Sequence, residues 1–320
     1  MSSDLVGDSG RVYTSSRLLR RHPYDSTFDV FKAESSGKSY VLKRMPKHCF
    51  NLSKRIARDV PSSPRLRMHV DCKRDESLLV YDYYCDTFLE LLHNDPGLMP
   101  DERIKIMQRV AEAVQQLHSK NWVHTDIKPD NIFIDYTCDE DGNKIVTNVA
   151  LGDFDVACKL KNHETRITPH AVGNVMWRSP EGHFGMSNKY SDIYSLGLVY
   201  LFALGAGDGL ILNNYKELEK AGIEQELEVL TRHFSYFGPV PESLYEQFRD
   251  EKAKNALRMA SDVAEAEVAE QPEARLKIWG EPYGEVALDC LSGMTNLDPK
   301  ARLKIDEVVA HAIWQESASF

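Results

Sequence analysis

Short apolar and aromatic runs broken by polar residues mark the early part of the chain. The runs FDVFKAE, SYVLKRM and LLVYDYY read as short strands between about Val12 and Tyr84. The turn SSGK, Ser35 to Lys38, joins the first two as a hairpin. A basic stretch, KHCFNLSKRIARDVPSSPRLRMHVD, separates them from the third, and its middle predicts only a short helix, stopped by Pro61 and Pro64. The first ten or so residues are polar and read as a loose end.

After YCDTFLELL the period lengthens. In DERIKIMQRVAEAVQQLHSKNW, Ile104, Met107, Val110, Val114 and Leu117 recur at three and four, the mark of one apolar helix face. Pro100 and Asp101 sit where a helix start favours them. The segment VHTDIKPDNIFID follows directly and reads as a loop held against a helical body. CDEDGNK, Cys138 to Lys144, is a solvated turn between the strand-like runs NIFID and IVTNVALGDF. From about Met186 the chain reads as helices with polar joints, and EQFRDEKAKNALRMASDVAEAEVAEQPEARLKIWG as a charged, solvated helical addition. A small β-rich unit followed by a larger helical one predicts an α+β fold of two lobes with a cleft between them.

Composition narrows the function. The 320 residues are 42% hydrophobic and 28% charged, ordinary for a globular chain. A formal charge of −10 argues against a general nucleic-acid binder. The six cysteines show no C-x-x-C spacing, so reduced, buried thiols of an intracellular protein are expected, cytoplasmic or nuclear. The first residues lack the apolar core of a secretory signal. The apolar run SLGLVYLFALGAGDGLIL carries Asp208 and several glycines, and predicts a buried core helix rather than a membrane span.

The chemistry concentrates in HTDIKPDN, where Asp126, Lys128 and Asn131 stand at the spacing D-x-K-x-x-N. Moving a phosphoryl group from ATP requires a carboxylate near the attacking hydroxyl, oxygen ligands for Mg²⁺ and cations on the phosphates. Asp153 in LGDFD supplies a second metal carboxylate at the end of a strand. In isolation each of these residues would read as a cap or a solvated side chain.

Together the motifs carry a resemblance. HTDIKPDN resembles the eukaryotic-type protein-kinase catalytic loop, with Thr125 replacing the middle arginine of His-Arg-Asp, and DFD resembles the Asp-Phe-Gly metal motif. GNVMWRSPEG, SDIYSLG and LDPKARLKIDEVVAHAIW resemble the end of the activation segment, the helix that starts Asp-x-Trp-Ser-x-Gly, and the closing helix. The wording is similar to fungal serine/threonine kinases. The resemblance implies a single kinase domain: a flexible start at 1–11, an N-lobe at 12–84 and a C-lobe at 85–320, with the activation segment at 153–181. It implies Asp126 as base, Lys128 as cation on the moving phosphoryl, and Asn131 and Asp153 as Mg²⁺ ligands. Lys43 in YVLKRM would grip the α and β phosphates and Val30 would cap the adenine. Tyr81 would back the pocket, with Asp82 and Tyr84 offering backbone contacts at the hinge. His124 and Phe154 would be packing residues, Glu181 and Arg302 a buried pair, and Asp192 an acceptor for catalytic-loop N–H groups. Lys128 points to a serine or threonine acceptor on a protein substrate. No nucleic-acid or membrane partner is implied, and no oligomeric state.

Several positions depart from the pattern. Pro23, Asp25 and Phe28 occupy the three glycine positions of the nucleotide loop, which should weaken the clamp and set Asp25 against ATP. Residues 44–58 contain no acid to pair with Lys43; Asp59 is the first. Asp155 replaces the flexible glycine after Phe154, and Asn174 stands for a threonine that contacts the catalytic Asp. Thr165 and Thr168 are candidate phosphosites, although Thr125 removes the arginine that would read them. An active ATP- and Mg²⁺-dependent kinase and a scaffolding pseudokinase are the two leading readings. A small-molecule phosphotransferase is a third, disfavoured by the Ser179-Pro180-Glu181 segment paired with Arg302.

Overall fold

The computed structural model describes residues 4–60, 62–161, 164–212 and 214–315; Pro61, expected to stop a helix, lies outside the described residues. The chain divides into two compact units, Met1–Asn94 with Asp130–Asp155, and Asp95–Pro129 with Val156–Phe320.

The first unit is built on six antiparallel strands in the order β1-β2-β3-β4-β6-β5: β1 Asp4–Val6, β2 Val12–Arg20, β3 Val30–Ser35, β4 Lys38–Arg44, β5 His69–Lys73 and β6 Leu78–Asp82. Ser36 and Gly37, at φ 50° and 77°, make the two-residue turn that lets β3 and β4 pair without splaying. Pleating sends Tyr40 and Leu42 to one face with Tyr13 and Val80, and Val41 to the other with Leu79 and Tyr81. Helix α1, Lys47–Asp59, is longer than expected because Cys49, Phe50, Ser53 and Ile56 give it a continuous buried stripe. The hairpin Ile132–Cys138 and Lys144–Leu151 pairs with Asp86–Thr87 to complete this unit, its turn held by Asp139 Oδ1 accepting from the N–H of Asn143 at 2.8 Å.

The start of the chain is not loose where it is described. β1 pairs with Val12–Thr14, and the Asp71 carboxylate accepts from the Ser9 N–H at 3.2 Å and the Tyr13 hydroxyl at 3.0 Å. Burying Tyr13 needs a partner for its hydroxyl, and Asp71 ties both segments to β5.

In the second unit the period-3.6 helix runs Pro100–Ser119, with Met107, Val110, Val114 and Leu117 buried. Ile106 fills the buried stripe where Ile104 was expected, and Ile104 is only half-buried. The long apolar run starts within Lys189–Ala203 and continues through a turn into the short helix Gly207–Leu210. The Lys189–Ala203 helix opens on an Asn188–Ser191 capping box, is buried from Ser191 to Ala203, and is followed by Gly205 at φ 99°. No described helix is long and apolar enough to cross a membrane. The charged segment Glu251–Glu270 is amphipathic rather than simply solvated: Ala253, Leu257, Ala260 and Ala264 pack it on Gln225–Phe237. All six cysteines are free thiols, but Cys85 and Cys138 are exposed, against the expectation of burial.

Candidate active site

Lys43 lies on β4 opposite Val30 of β3, and its ammonium meets two carboxylates: Asp153 Oδ1 at 2.6 Å and Asp155 Oδ2 at 2.7 Å. Burial opposes the charge on Lys43, but Asp153 and Asp155 outweigh it and raise its pKa above the ordinary lysine value. Burial pushes the Asp155 carboxyl up, against the pull of Lys43 and with the charge of Asp153 beside it. Asp153 adopts φ 63°, a left-handed conformation that costs about 1–3 kcal/mol and persists only where the surroundings impose it. Asn131 is buried, and its carbonyl accepts from the Gly152 N–H at 2.9 Å, which ties the end of HTDIKPDN to the strand that leads into LGDFD.

The segment expected to be the nucleotide loop is built differently from the glycine-rich pattern. A 3₁₀ turn, Ser26–Phe28, is capped by Asp25, whose Oδ1 accepts from the Thr27 N–H at 2.9 Å and its hydroxyl at 2.7 Å. Asp29 Oδ1 accepts from the His22 N–H at 2.7 Å, and His22 Nδ1 from the Asp25 N–H at 3.1 Å. Asp25 is therefore spent on its own turn. The N–H groups of residues 22, 25 and 27, which glycines would leave open to phosphate, already have acceptors within the loop.

Sequence reasoning missed Arg67. Its Nε and Nη2 donate to the Asp82 carbonyl at 3.2 and 2.9 Å, and its guanidinium lies 4.1 Å from the Phe133 ring centroid and 5.0 Å from that of Tyr81. Burial holds its pKa below the usual arginine range, with Tyr81 opposing the fall. The hinge carbonyl expected to face adenine thus has a protein donor already. Tyr84 is half-buried, its hydroxyl accepting from Asn148 Nδ2 at 3.2 Å. Val30 packs beside the cluster of Val41, Cys49 and Tyr81.

In the second unit Asp126 is held at both oxygens: Oδ1 accepts from the backbone N–H of Asn174 at 2.7 Å, and Oδ2 lies 3.1 Å from Lys128 Nζ. The Asn174 side-chain oxygen instead caps the 3₁₀ turn at Val175, accepting from the Met176 N–H at 3.0 Å. Gly173 at φ 85° permits this approach, since a Cβ there would strike the Thr125 carbonyl. The loop before Asp126 hangs on buried Asp192, which accepts from the N–H groups of His124 at 2.8 Å and Thr125 at 2.9 Å and meets His118 Nε2 at 2.9 Å. Thr125, at φ 64°, also donates its hydroxyl to the Val156 carbonyl at 2.9 Å. His124 and Phe154 are both buried, as packing residues should be. The Thr168 hydroxyl lies 2.8 Å from the His170 carbonyl and 3.0 Å from that of Gly185, a backbone-bound position.

Residues 55–314 match the protein kinase domain, most of the chain, and the protein belongs to that family. Its two-lobe α+β fold and the order of its motifs agree. It is 32% identical over 235 residues to eukaryotic translation initiation factor 2-alpha kinase 3 of Rattus norvegicus, covering 63% of this chain and 19% of the relative. It is 35% identical over 122 residues to serine/threonine-protein kinase PrkC of Bacillus subtilis, covering 38% of this chain and 17% of the relative. Cyclin-dependent kinase-like 5 of Homo sapiens is 25% identical over 245 residues, 76% of this chain and 23% of the relative. The chain spans 17–23% of the length of these relatives. Val30 and Lys43 precede the matched residues, whereas Asp126, Lys128, Asn131 and Asp153 fall within them.

Proposed function

We propose that the protein is an active serine/threonine kinase that transfers the γ-phosphoryl of ATP to a protein hydroxyl. The observation that carries this reading is the fixed Asp126–Lys128 pair, with its carboxylate braced by the Asn174 N–H at 2.7 Å. A carboxylate held on one oxygen by a backbone donor can orient a hydroxyl and accept its proton, while an ammonium beside it neutralises charge on the group in transit. Asp153 and Asn131 supply carboxylate and amide oxygens, a donor set suited to Mg²⁺, which completes its shell with phosphate and water. When bound, Mg²⁺ would supply charge neutralisation at the phosphate oxygens. Lys43 would bind the inner phosphates, and Lys128 within DIKPDN favours a serine or threonine acceptor.

The test is phosphoryl transfer to itself or to a generic basic protein with labelled Mg²⁺-ATP. Asp126→Ala should abolish transfer while leaving the melting temperature and ATP binding in place; transfer that survives it removes Asp126 as the base. A second reading, a pseudokinase acting as scaffold or allosteric partner, is favoured by the Arg67 donors on the Asp82 carbonyl. It expects ATP stabilisation that does not depend on Mg²⁺, and no transfer.

A further inference from the structure

Lys43 faces a problem that the chain solves locally. It shares the pleat direction of Val41, and so points to the face of the sheet covered by α1. Yet α1 has no acid before its last residue, Asp59, which lies beside Arg58 at 3.5 Å. Toward the loop of Asp153 and Asp155, α1 presents the thiol of Cys49, 3.9 Å from the backbone carbonyl of Asp155. The second carboxylate on the ammonium comes instead from the metal loop, at 2.7 Å, in the same tripeptide as Asp153. Phe154 between them is buried, and the two flanking acids both reach Lys43.

Building on the kinase reading, we propose that Asp155 is the positioning residue for Lys43, replacing an acid that α1 does not supply. A lysine ammonium has three N–H donors on a flexible stem, so one carboxylate fixes its distance but not its direction. Two carboxylates fix both and leave one donor for a phosphate oxygen. If Asp153 turns to a metal ion, Asp155 still holds the amine; a glycine at 155 would leave no acid from this loop to do so. The position of Lys43 therefore depends on the loop after the strand, and not on where α1 sits.

The experiment has one arm that needs no nucleotide and one that does. In the first, thermal unfolding of Lys43→Met, Asp155→Asn and the double variant forms a double-mutant cycle, with Asp155→Asn preserving shape. The expected result is non-additivity: once Lys43 is gone, losing the Asp155 charge costs nothing further. Additive shifts overturn the tether. In the second arm, Asp155→Asn should weaken Mg²⁺-ATP binding about tenfold, the loss typical of one charge-assisted hydrogen bond. It should raise KM for ATP more than it lowers kcat. Asp155→Glu should recover most of the affinity, and so should Cys49→Glu placed in the Asp155→Asn background. Unchanged or tighter ATP binding in Asp155→Asn overturns the positioning role. A wild-type protein that binds no nucleotide removes the kinase reading and the phosphate role of Lys43 with it. The thermal cycle then still supports or overturns the tether.

Discussion

Arg302 and Glu181, 121 residues apart in the chain, meet as a bidentate pair with both side chains fully buried, Nη1 to Oε1 at 2.6 Å and Nη2 to Oε2 at 2.8 Å. Ser191 Oγ donates to the same Glu181 oxygen at 2.9 Å, and Arg302 Nε donates to the Asn296 carbonyl at 2.6 Å. The pair joins the end of the activation segment to the chain just before the last helical turns.

Removing either partner strands a buried charge. Arg302→Ala or Glu181→Ala should each cost about 3–5 kcal/mol of unfolding free energy. Paired substitution by apolar residues of similar volume should recover much of that. Chemical denaturation of the three variants measures it, and a single variant within about 1 kcal/mol of wild type would contradict the burial argument. Burial raises the Glu181 pKa, but the Arg302 charge and its hydrogen bonds outweigh that, and the folded value lies below the ordinary one. The pair's contribution is thus complete above the usual carboxylate range and is lost as pH falls through the folded value.

Asp192 holds the strained approach to Asp126. Asp192→Ala would take the acceptor from the buried N–H of His124, at about 1–3 kcal/mol, and from the half-buried N–H of Thr125. Amide exchange at those two positions should rise well above that of the helix interior. If the two amides stay protected, Asp192 is not what fixes Thr125 at φ 64°.

Two buried histidines set an acid limit on stability. Burial lowers the His233 pKa to about 3, with Arg232 adding to the fall, and burial carries His183 well below its ordinary value. Both are neutral in the fold, while in the unfolded chain they take up protons near pH 6.5. The unfolded state binds more protons between that pH and the folded pKa, so stability falls as pH falls through this window. His233 alone should contribute about 1.4 kcal/mol per pH unit below 6.5. Melting temperatures from pH 7 to 5 should fall less steeply for His233→Phe than for wild type; parallel curves would refute the assignment.

Arg67 decides whether the Asp82 carbonyl is open to a nucleotide. Arg67→Leu keeps apolar contact with Tyr81 and Phe133 but frees the Asp82 carbonyl. On the kinase reading, ATP should bind several-fold more tightly, about 1 kcal/mol for a neutral hydrogen bond regained, as read by calorimetric titration. Weaker binding would instead make the guanidinium part of nucleotide recognition.

Much of this protein was legible along the chain because its signals are local. The strands of SYVLKRM and LLVYDYY, the two-residue turn at Ser36-Gly37 and the helix before HTDIKPDN follow from short apolar, aromatic-rich runs, from turn chemistry and from a period of 3.6. The spacing of Asp126, Lys128 and Asn131 is a local signal as well. Helix α1 is longer than the short helix its sequence predicts, since its buried stripe of Cys49, Phe50, Ser53 and Ile56 is interrupted by basic residues that obscure the apolar face.

The order of strand-like and helical runs determined the α+β class, and the motifs in their order determined the kinase resemblance and the missing glycines and helix acid. Only the tertiary structure decided what stands in for them. Asp155 reaches Lys43 across 112 residues, and the Arg67 guanidinium folds back onto Asp82. Neither pairing leaves a periodic trace, because a long charged side chain chooses its partner by burial and reach, which exist only once the strands have paired.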